Sequence, residues 1–288
     1  MRILVIGDLH GRMPKIHFKE FDAIICVGDF CYDEELKIPY KKSYKIFLKN
    51  PYNRLFWWDI AGRKRAKKII QKSLRMGRKI LVKLNSYGVP IYSIPGNWDL
   101  VNEDDEWSYL DKDYYRDYLI KGLKNVHDVD GKIRSIGNLK IIGYGLVNGP
   151  ELLKYRRYKD IKKKSYERNE RNYKRLVARY DKIFLKTKRS GRSIIFLSHN
   201  VPFNTPLDKI RNKDSLMDGH HYGSNLARDM IVRHKPLLNI GGHMHEHYGI
   251  CRIGKTVVLN AGYGPEKNTL IEIEDGKIKS MKFYGKKC

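Results

Sequence analysis

The chain has 288 residues, 41% apolar and 11% aromatic, with 58 Lys and Arg against 32 Asp and Glu for a formal net charge of +26. That length and apolar share describe a folding sequence with a sizeable core and exclude a disordered basic tail. No apolar run approaches the roughly 18 residues of a helical membrane span, so an integral membrane protein is excluded too.

In chain order, the first predicted strand, 3–6, meets Gly7-Asp8 too soon to be a signal peptide. The second, 24–27, runs into Gly28-Asp29. Residues 37–83 then carry 16 Lys and Arg and a single acid, Asp59. Within 54–84, Leu55, Trp58, Ala66, Ile69, Ile70, Leu74, Leu81 and Leu84 recur near a 3.6-residue period, which predicts helix. Strand 91–94 runs into Pro95-Gly96-Asn97, and strands follow at 132–136 and 140–145. Residues 151–192 hold 17 Lys and Arg against five acids. Leu152, Tyr155, Tyr158, Ile161, Tyr166, Tyr173, Leu176, Val177, Tyr180 and Phe184 again mark a helix, with Gly191 as its stop. Strand 194–197 enters Ser198-His199, and 237–240 enters Gly241-Gly242-His243. Strands at 247–253, 256–260 and 269–274 complete the set, the last turning through Glu274-Asp275-Gly276-Lys277 into 278–284.

Outside the two basic segments the chain is close to neutral. Cys26, Cys31, Cys251 and Cys288 lack Cys-x-x-Cys spacing, so neither a disulfide framework nor a thiolate zinc site is indicated, and a reducing, cytoplasmic setting is expected. The expected architecture is α/β: stacked sheets flanked by helices in one domain over 1–288, with basic helical insertions at about 37–83 and 151–192.

Five apolar strands end in a carboxylate, amide or imidazole, and such strand ends gather ligands in α/β folds. The set is Asp8, His10, Asp29, Asn97, His199, His243 and His245. Hard oxygen donors mixed with imidazoles suit Mn, Fe, Ni or Zn better than Ca or Mg. Seven ligands exceed the needs of one tetrahedral ion, whereas two ions sharing a carboxylate use them all. A single His after an apolar strand is ordinarily hydrogen-bonded structure; five motifs together are not. His17, His127 and His234 fit no such pattern and read as exposed or locally bonded. His247 reads as the start of a strand or a support behind the ligands. Asp22 and Asp99 read as supports too, Asp99 with a turn or cap as the alternative.

Gly7-Asp8-Leu9-His10-Gly11, Gly28-Asp29, Gly96-Asn97-Trp98-Asp99, Ser198-His199 and Gly242-His243-Met244-His245 resemble, in order, the motifs of the calcineurin-like metallophosphoesterases. The resemblance spans residues 1 to about 262 outside the basic segments. Asp218-Gly219-His220-His221-Tyr222-Gly223-Ser224 looks like the archaeal and bacterial members. It implies a four-layer α/β/β/α sandwich of two mixed sheets. Asp8, His10 and His245 would hold one ion, Asn97, His199 and His243 the other, and Asp29 would bridge them. A water made acidic by both ions would attack phosphorus in line with the leaving group.

One position departs from that family. Many members have His where this chain has Trp98, and that His serves the leaving oxygen. Indole has no proton to give near neutral pH, so Trp98 is no general acid. It reads as a pocket wall or a stacking face for a base. His221 is the candidate replacement donor, ahead of His220, with a substrate contact as its alternative role. An absent donor penalises poor leaving groups most, which favours phosphodiesters over an all-purpose phosphatase activity.

The basic segments suit a polyanion, with cations for phosphates and aromatics for unstacked bases. The densest block is 154–175, comprising Lys154, Arg156, Arg157, Lys159, Lys162, Lys163, Lys164, Arg168, Arg171, Lys174 and Arg175; Arg63, Lys64, Arg65, Lys67 and Lys68 form the other. A self-association face or an ordinary solvated helix is the alternative. The expected function is a dimetal phosphoesterase, with phosphodiesters of nucleotides or nucleic acid as substrate. The alternatives are a phosphomonoesterase of small metabolites and a nucleic-acid-binding protein with a vestigial metal site.

Overall fold

Alternation along the central strands decides the layers. In a computed structural model, which describes residues 1–50, 55–99, 107–152, 163–213 and 217–285, strand β1 (Arg2–Ile6) sends Ile3 and Val5 into one core and Leu4 and Ile6 into another. It belongs to a six-stranded sheet with β2 (Ala23–Cys26), β3 (Ile91–Ser93), β4 (Val126–Asp128), β11 (Asn268–Glu274) and β12 (Lys277–Tyr284), in the order β12-β11-β1-β2-β3-β4. The second sheet comprises β5 (Ile133–Ile136), β6 (Leu139–Tyr144), β7 (Ile194–Asn200), β8 (Leu238–Gly242), β9 (Gly249–Ile253) and β10 (Thr256–Asn260), in the order β5-β6-β7-β8-β10-β9.

Ile3, Val5, Ile25 and Val27 from the first sheet meet Ile141, Ile195, Leu197, Ile240 and Leu259 from the second in a central core. The outer face of the first sheet is covered by α1 (Glu34–Lys49), α2 (Trp57–Ala61) and α3 (Arg63–Asn85), with Ala66, Ile69, Ile70, Leu74 and Leu81 turned inward. Helices α4 (Lys163–Lys188) and α5 (Asn225–His234) cover the second sheet through Val177, Tyr180, Phe184, Leu226 and Met230. The result is the expected four-layer α/β/β/α sandwich of two mixed sheets.

Strands β1, β2 and β3 run parallel, as do β6, β7, β8 and β10, so their carboxyl ends share an edge within each sheet. Both basic segments supply helices with one buried apolar face and an exposed cationic one. The 54–84 pattern divides at Gly62, whose backbone takes a left-handed φ of 77° between α2 and α3. Lys154, Arg156, Arg157, Lys159 and Lys162 lie outside the described residues. Among the described residues, no helix is long and apolar enough to cross a membrane.

Candidate metal centre

Each motif places its side chain in a short turn after a strand. Asp8 follows β1, Asp29 follows β2 and Asn97 follows β3; His199 ends β7, and His243 and His245 follow β8. Close backbone approach makes these turns specific. A Cβ on Gly96 would fall 2.1 Å from Asp29 Oδ1, and one on Gly242 would fall 2.8 Å from both Asp8 carboxylate oxygens. His10, Asp29 and His243 hold left-handed φ values of 45°, 55° and 65°. Such strain in non-glycine residues gathers at functional sites.

All seven expected side chains converge. Ligand atoms of Asp29, His199 and His243 lie within 4.8 Å of one another. Asn97 Oδ1 lies 2.8 Å from His199 Nε2 and 2.9 Å from His243 Nδ1. On the other side, His10 Nε2 and His245 Nε2 face each other at 3.0 Å, and Asp8 Oδ2 is 3.3 Å from His245 Nε2. Between the two groups, Asp29 Oδ2 is 3.5 Å from His199 Nε2 and 3.7 Å from His10 Nε2. Asp29 Oδ1 accepts the Trp98 amide at 2.8 Å, which orients the other oxygen toward the imidazoles.

These residues fit a pair of divalent ions on several counts. His199 Nδ1 donates to the Val27 carbonyl at 2.7 Å and His10 Nδ1 faces Asp33 Oδ2 at 2.7 Å, so both rings turn Nε2 inward. Metal-binding histidines are held this way, by a partner on the far nitrogen. Asp8 Oδ1 is buried with no hydrogen-bond partner of its own. The electrostatics also call for positive charge. Burial opposes ionisation of His199, yet Asp29 and Asp8 push it up to about 9. Burial would likewise raise Asp29, but His199 and His10 hold its carboxyl below the ordinary range. His243 is pushed down to about 4 by burial and by His199. Cations at the centre would offset the two carboxylates without protonating the imidazoles.

Asp99 underlies this centre. Fully buried, it accepts the backbone amides of Asp29, Phe30, Cys31 and Gly96 at 2.8–3.1 Å. Burial and the Asp29 charge push its carboxyl up to about 7. Asp22 does not join it. This residue precedes β2, at the amino end of the strand, and accepts the Arg2 amide instead. His247 sits in a 3-10 turn ahead of β9, its Nε2 against the Lys209 carbonyl at 2.5 Å. His17 stacks on Tyr284, His127 lies tilted against Tyr92 with ring centroids 5.5 Å apart, and His234 pairs with Asp181 at 2.7 Å.

Trp98 packs edge-on against Tyr40 at 5.8 Å with Lys37 over its ring at 6.0 Å, so α1 flanks the centre. His221 Nδ1 meets the buried Asp208 at 2.7 Å and its ring abuts Phe203. Its loop is tied to the residue after His199, because Asn200 Nδ2 donates to the Tyr222 carbonyl at 2.9 Å. Three neighbours escaped the sequence reading: Asp33, Asp208, and Tyr263, whose ring lies 5.5 Å from His245. Asp33, four residues beyond Asp29, was the most findable of them.

The sequence profile described as calcineurin-like phosphoesterase matches residues 1–247. The chain belongs to the calcineurin-like phosphoesterase family. Members generally use two divalent metals. This calcineurin-like phosphoesterase is 22% identical over 282 residues to the uncharacterized protein MJ1162 of Methanocaldococcus jannaschii, covering 94% of this chain and 95% of that one. Its fold is similar to that of a dimetal phosphatase from Danio rerio, with a TM-score of 0.53, 11% identity, and 99% and 96% of the two chains covered. It is also similar to TT1561 of Thermus thermophilus, with a TM-score of 0.48, 14% identity and coverage of 98% and 97%.

Proposed function

We propose that this phosphoesterase is a dimetal phosphodiesterase of nucleotides or nucleic acid. The convergence of seven ligand side chains supports the metal centre, and the residue after Asn97 carries the substrate reading. There the indole of Trp98, backed by Tyr40 and Lys37, offers a flat apolar face and a nearby cation in place of a titratable donor. That combination suits a base and its phosphate better than a small sugar phosphate.

In this reading Asp8, His10 and His245 hold one ion, Asn97, His199 and His243 the other, and Asp29 lies between them. Manganese, iron, nickel or zinc all suit the donor set. When bound, the ions lower the pKa of a water and neutralise charge on the phosphate. The protein's own work is positional. The Trp98 amide and the Asp99 anchor hold Asp29, and Val27 and Asp33 aim His199 and His10. His221, its Nδ1 held by Asp208, keeps Nε2 to hand a proton to the leaving oxygen.

The test is parallel assay of bis-p-nitrophenyl phosphate and p-nitrophenyl phosphate with Mn²⁺. The diester should be preferred, and Asp29→Asn should abolish its turnover. Preference for the monoester would make the protein a phosphomonoesterase. No turnover of either with Mn, Fe, Ni or Zn would leave a nucleic-acid-binding protein with a vestigial site.

A further inference from the structure

Beyond the metal centre, six cations of α4 share one face. Arg168, Arg171 and Arg175, then Arg179, Lys182 and Lys186, follow one another at steps of three or four residues. At 3.6 residues per turn they share about 80° of arc, and Arg189 continues the line just past the helix. The acids Glu167, Glu170 and Asp181 fall on a different arc, where Asp181 pairs with Arg233 and His234 of α5. That arc mixes signs, since Lys174 pairs there with Glu170 at 2.9 Å, whereas the cationic stripe itself holds no acid.

The carboxyl-terminal half of the stripe borders a groove of about 1260 Å³ between α4 and edge strand β5. Six cations line it: Lys132, Arg134, Arg179, Lys182, Lys186 and Arg189. Its lining contains no Asp or Glu. Among the described residues only Lys132 of the six forms an ion pair, with Asp128 at 2.5 Å. The floor is apolar, from Ile133, Ala178, Ile183 and Leu185, the last 56% exposed.

We propose that this groove is a binding track for a single-stranded nucleic acid. Cations at three- and four-residue steps recur every ~4.5–6 Å along the helix, on the scale of successive phosphates, while the apolar floor accommodates unpaired bases. A second copy of this chain would bring a strongly positive surface against another, which disfavours self-association here. A concave groove also suits a strand better than a flat membrane surface. Gly131, at the Arg179 end of the groove, bonds Gly143 of β6, whereas Arg189 at the other end lies five residues before β7 begins at Ile194. The choice of nucleic acid rests on the proposed function, whereas the binding itself does not need turnover.

The experiment is fluorescence anisotropy of labelled oligo(dT) and oligo(U) across a salt series, in an Asp29→Asn background so that the strand survives. Arg179→Ala/Lys182→Ala/Lys186→Ala should weaken binding at least about tenfold at low salt and flatten the salt slope by about 2. Lys174→Ala/Lys188→Ala, on another face, should leave both unchanged. With Asp29 intact, the triple variant should turn over bis-p-nitrophenyl phosphate like the wild type, showing that the fold is preserved. Equal binding by the triple variant, or equal loss in the control, would overturn the proposal. So would tighter binding of duplex DNA or of phosphatidylglycerol vesicles. If the strand binds as expected but no diester is hydrolysed, the proposed function fails and the track stands.

Discussion

At the scale of single residues, two buried carboxylates stand behind the converging side chains and the His221 loop. Asp99 satisfies four amides of the turns that carry Asp29 and Asn97. Hydrogen bonds to a charged acceptor contribute about 1.5–3 kcal/mol each, so Asp99→Ala should cost at least about 3 kcal/mol in urea unfolding at a pH well above the value of about 7 to which this carboxyl is raised. A loss below about 1 kcal/mol would show that water replaces the carboxylate. Asp208 does the same for the His221 loop, accepting the amides of Asn204, Thr205 and Gly223. If His221 protonates the leaving oxygen, His221→Ala should slow diesters with alkyl leaving groups by about 10²–10⁴-fold. Aryl esters should change little. The measurement is the dependence of rate on leaving-group pKa, and an unchanged slope would assign His221 to substrate contact alone. The convergence of Asp8, Asp29, Asn97, His199 and His243 was legible because each is a polar residue at the end of an apolar strand and preceded by Gly or Ser. Asp33 and Asp208 were not, since they sit in loops where no periodic pattern marks a side chain as buried.

At the scale of elements, the strands read plainly wherever they were apolar on both faces, as in β1, β2 and β7. Strand β4 escaped because Val126-His127-Asp128 is short and two-thirds polar, and its place is set by pairing with β3. Helix α5 escaped too, although Ser224 caps it by accepting the Ala227 amide and Leu226, Met230 and Ile231 mark its inner face. A further link joins the two sheets. Arg116, on the π-helical turn Tyr115–Leu119, reaches Asp113, Asp128 of β4 and Asp130, and Asp130 in turn accepts the Gly145 amide beyond β6. Burial would raise the Asp128 carboxyl, but Lys132 and Arg116 outweigh it and hold the folded value below the ordinary one. A depressed carboxylate adds stability that is present above its unfolded pKa, ~3.9, and lost as pH falls through the folded value. Arg116→Met should therefore cost about 1–2 kcal/mol at neutral pH, discounted because the guanidinium is about one-third exposed. The gap between variant and wild type should narrow in urea titrations as the pH falls below ~3.9, and a gap independent of pH would point to lost packing instead.

At the scale of the whole molecule, the net charge and the chemistry belong to different layers. The sheets carry the carboxylates and imidazoles at one edge, and the outer helices carry the cations. Folding must therefore assemble Asp8 and Asp29 in a dry place, with His10, Asp29 and His243 in left-handed backbone. Both features oppose folding and favour whatever supplies compensating charge. Ions that bind the folded state and not the unfolded chain stabilise it by mass action, about 2.7 kcal/mol at a hundredfold excess over Kd. For a chain of this size that amounts to a rise of about 5–10 °C in Tm. Stripping the protein with chelator and restoring Mn²⁺ in a thermal melt should recover that interval. His243→Ala should abolish most of the recovery, since it removes a ligand whose imidazole lies within 4.8 Å of the Asp29 and His199 donors. The triple substitution on α4 should leave the recovery intact, because those cations lie outside the ligand cluster. A Tm indifferent to Mn²⁺, Fe²⁺, Ni²⁺ and Zn²⁺ alike would mean that the carboxylates are balanced by protons on His199, and that the cluster is a structural polar core instead of a metal centre.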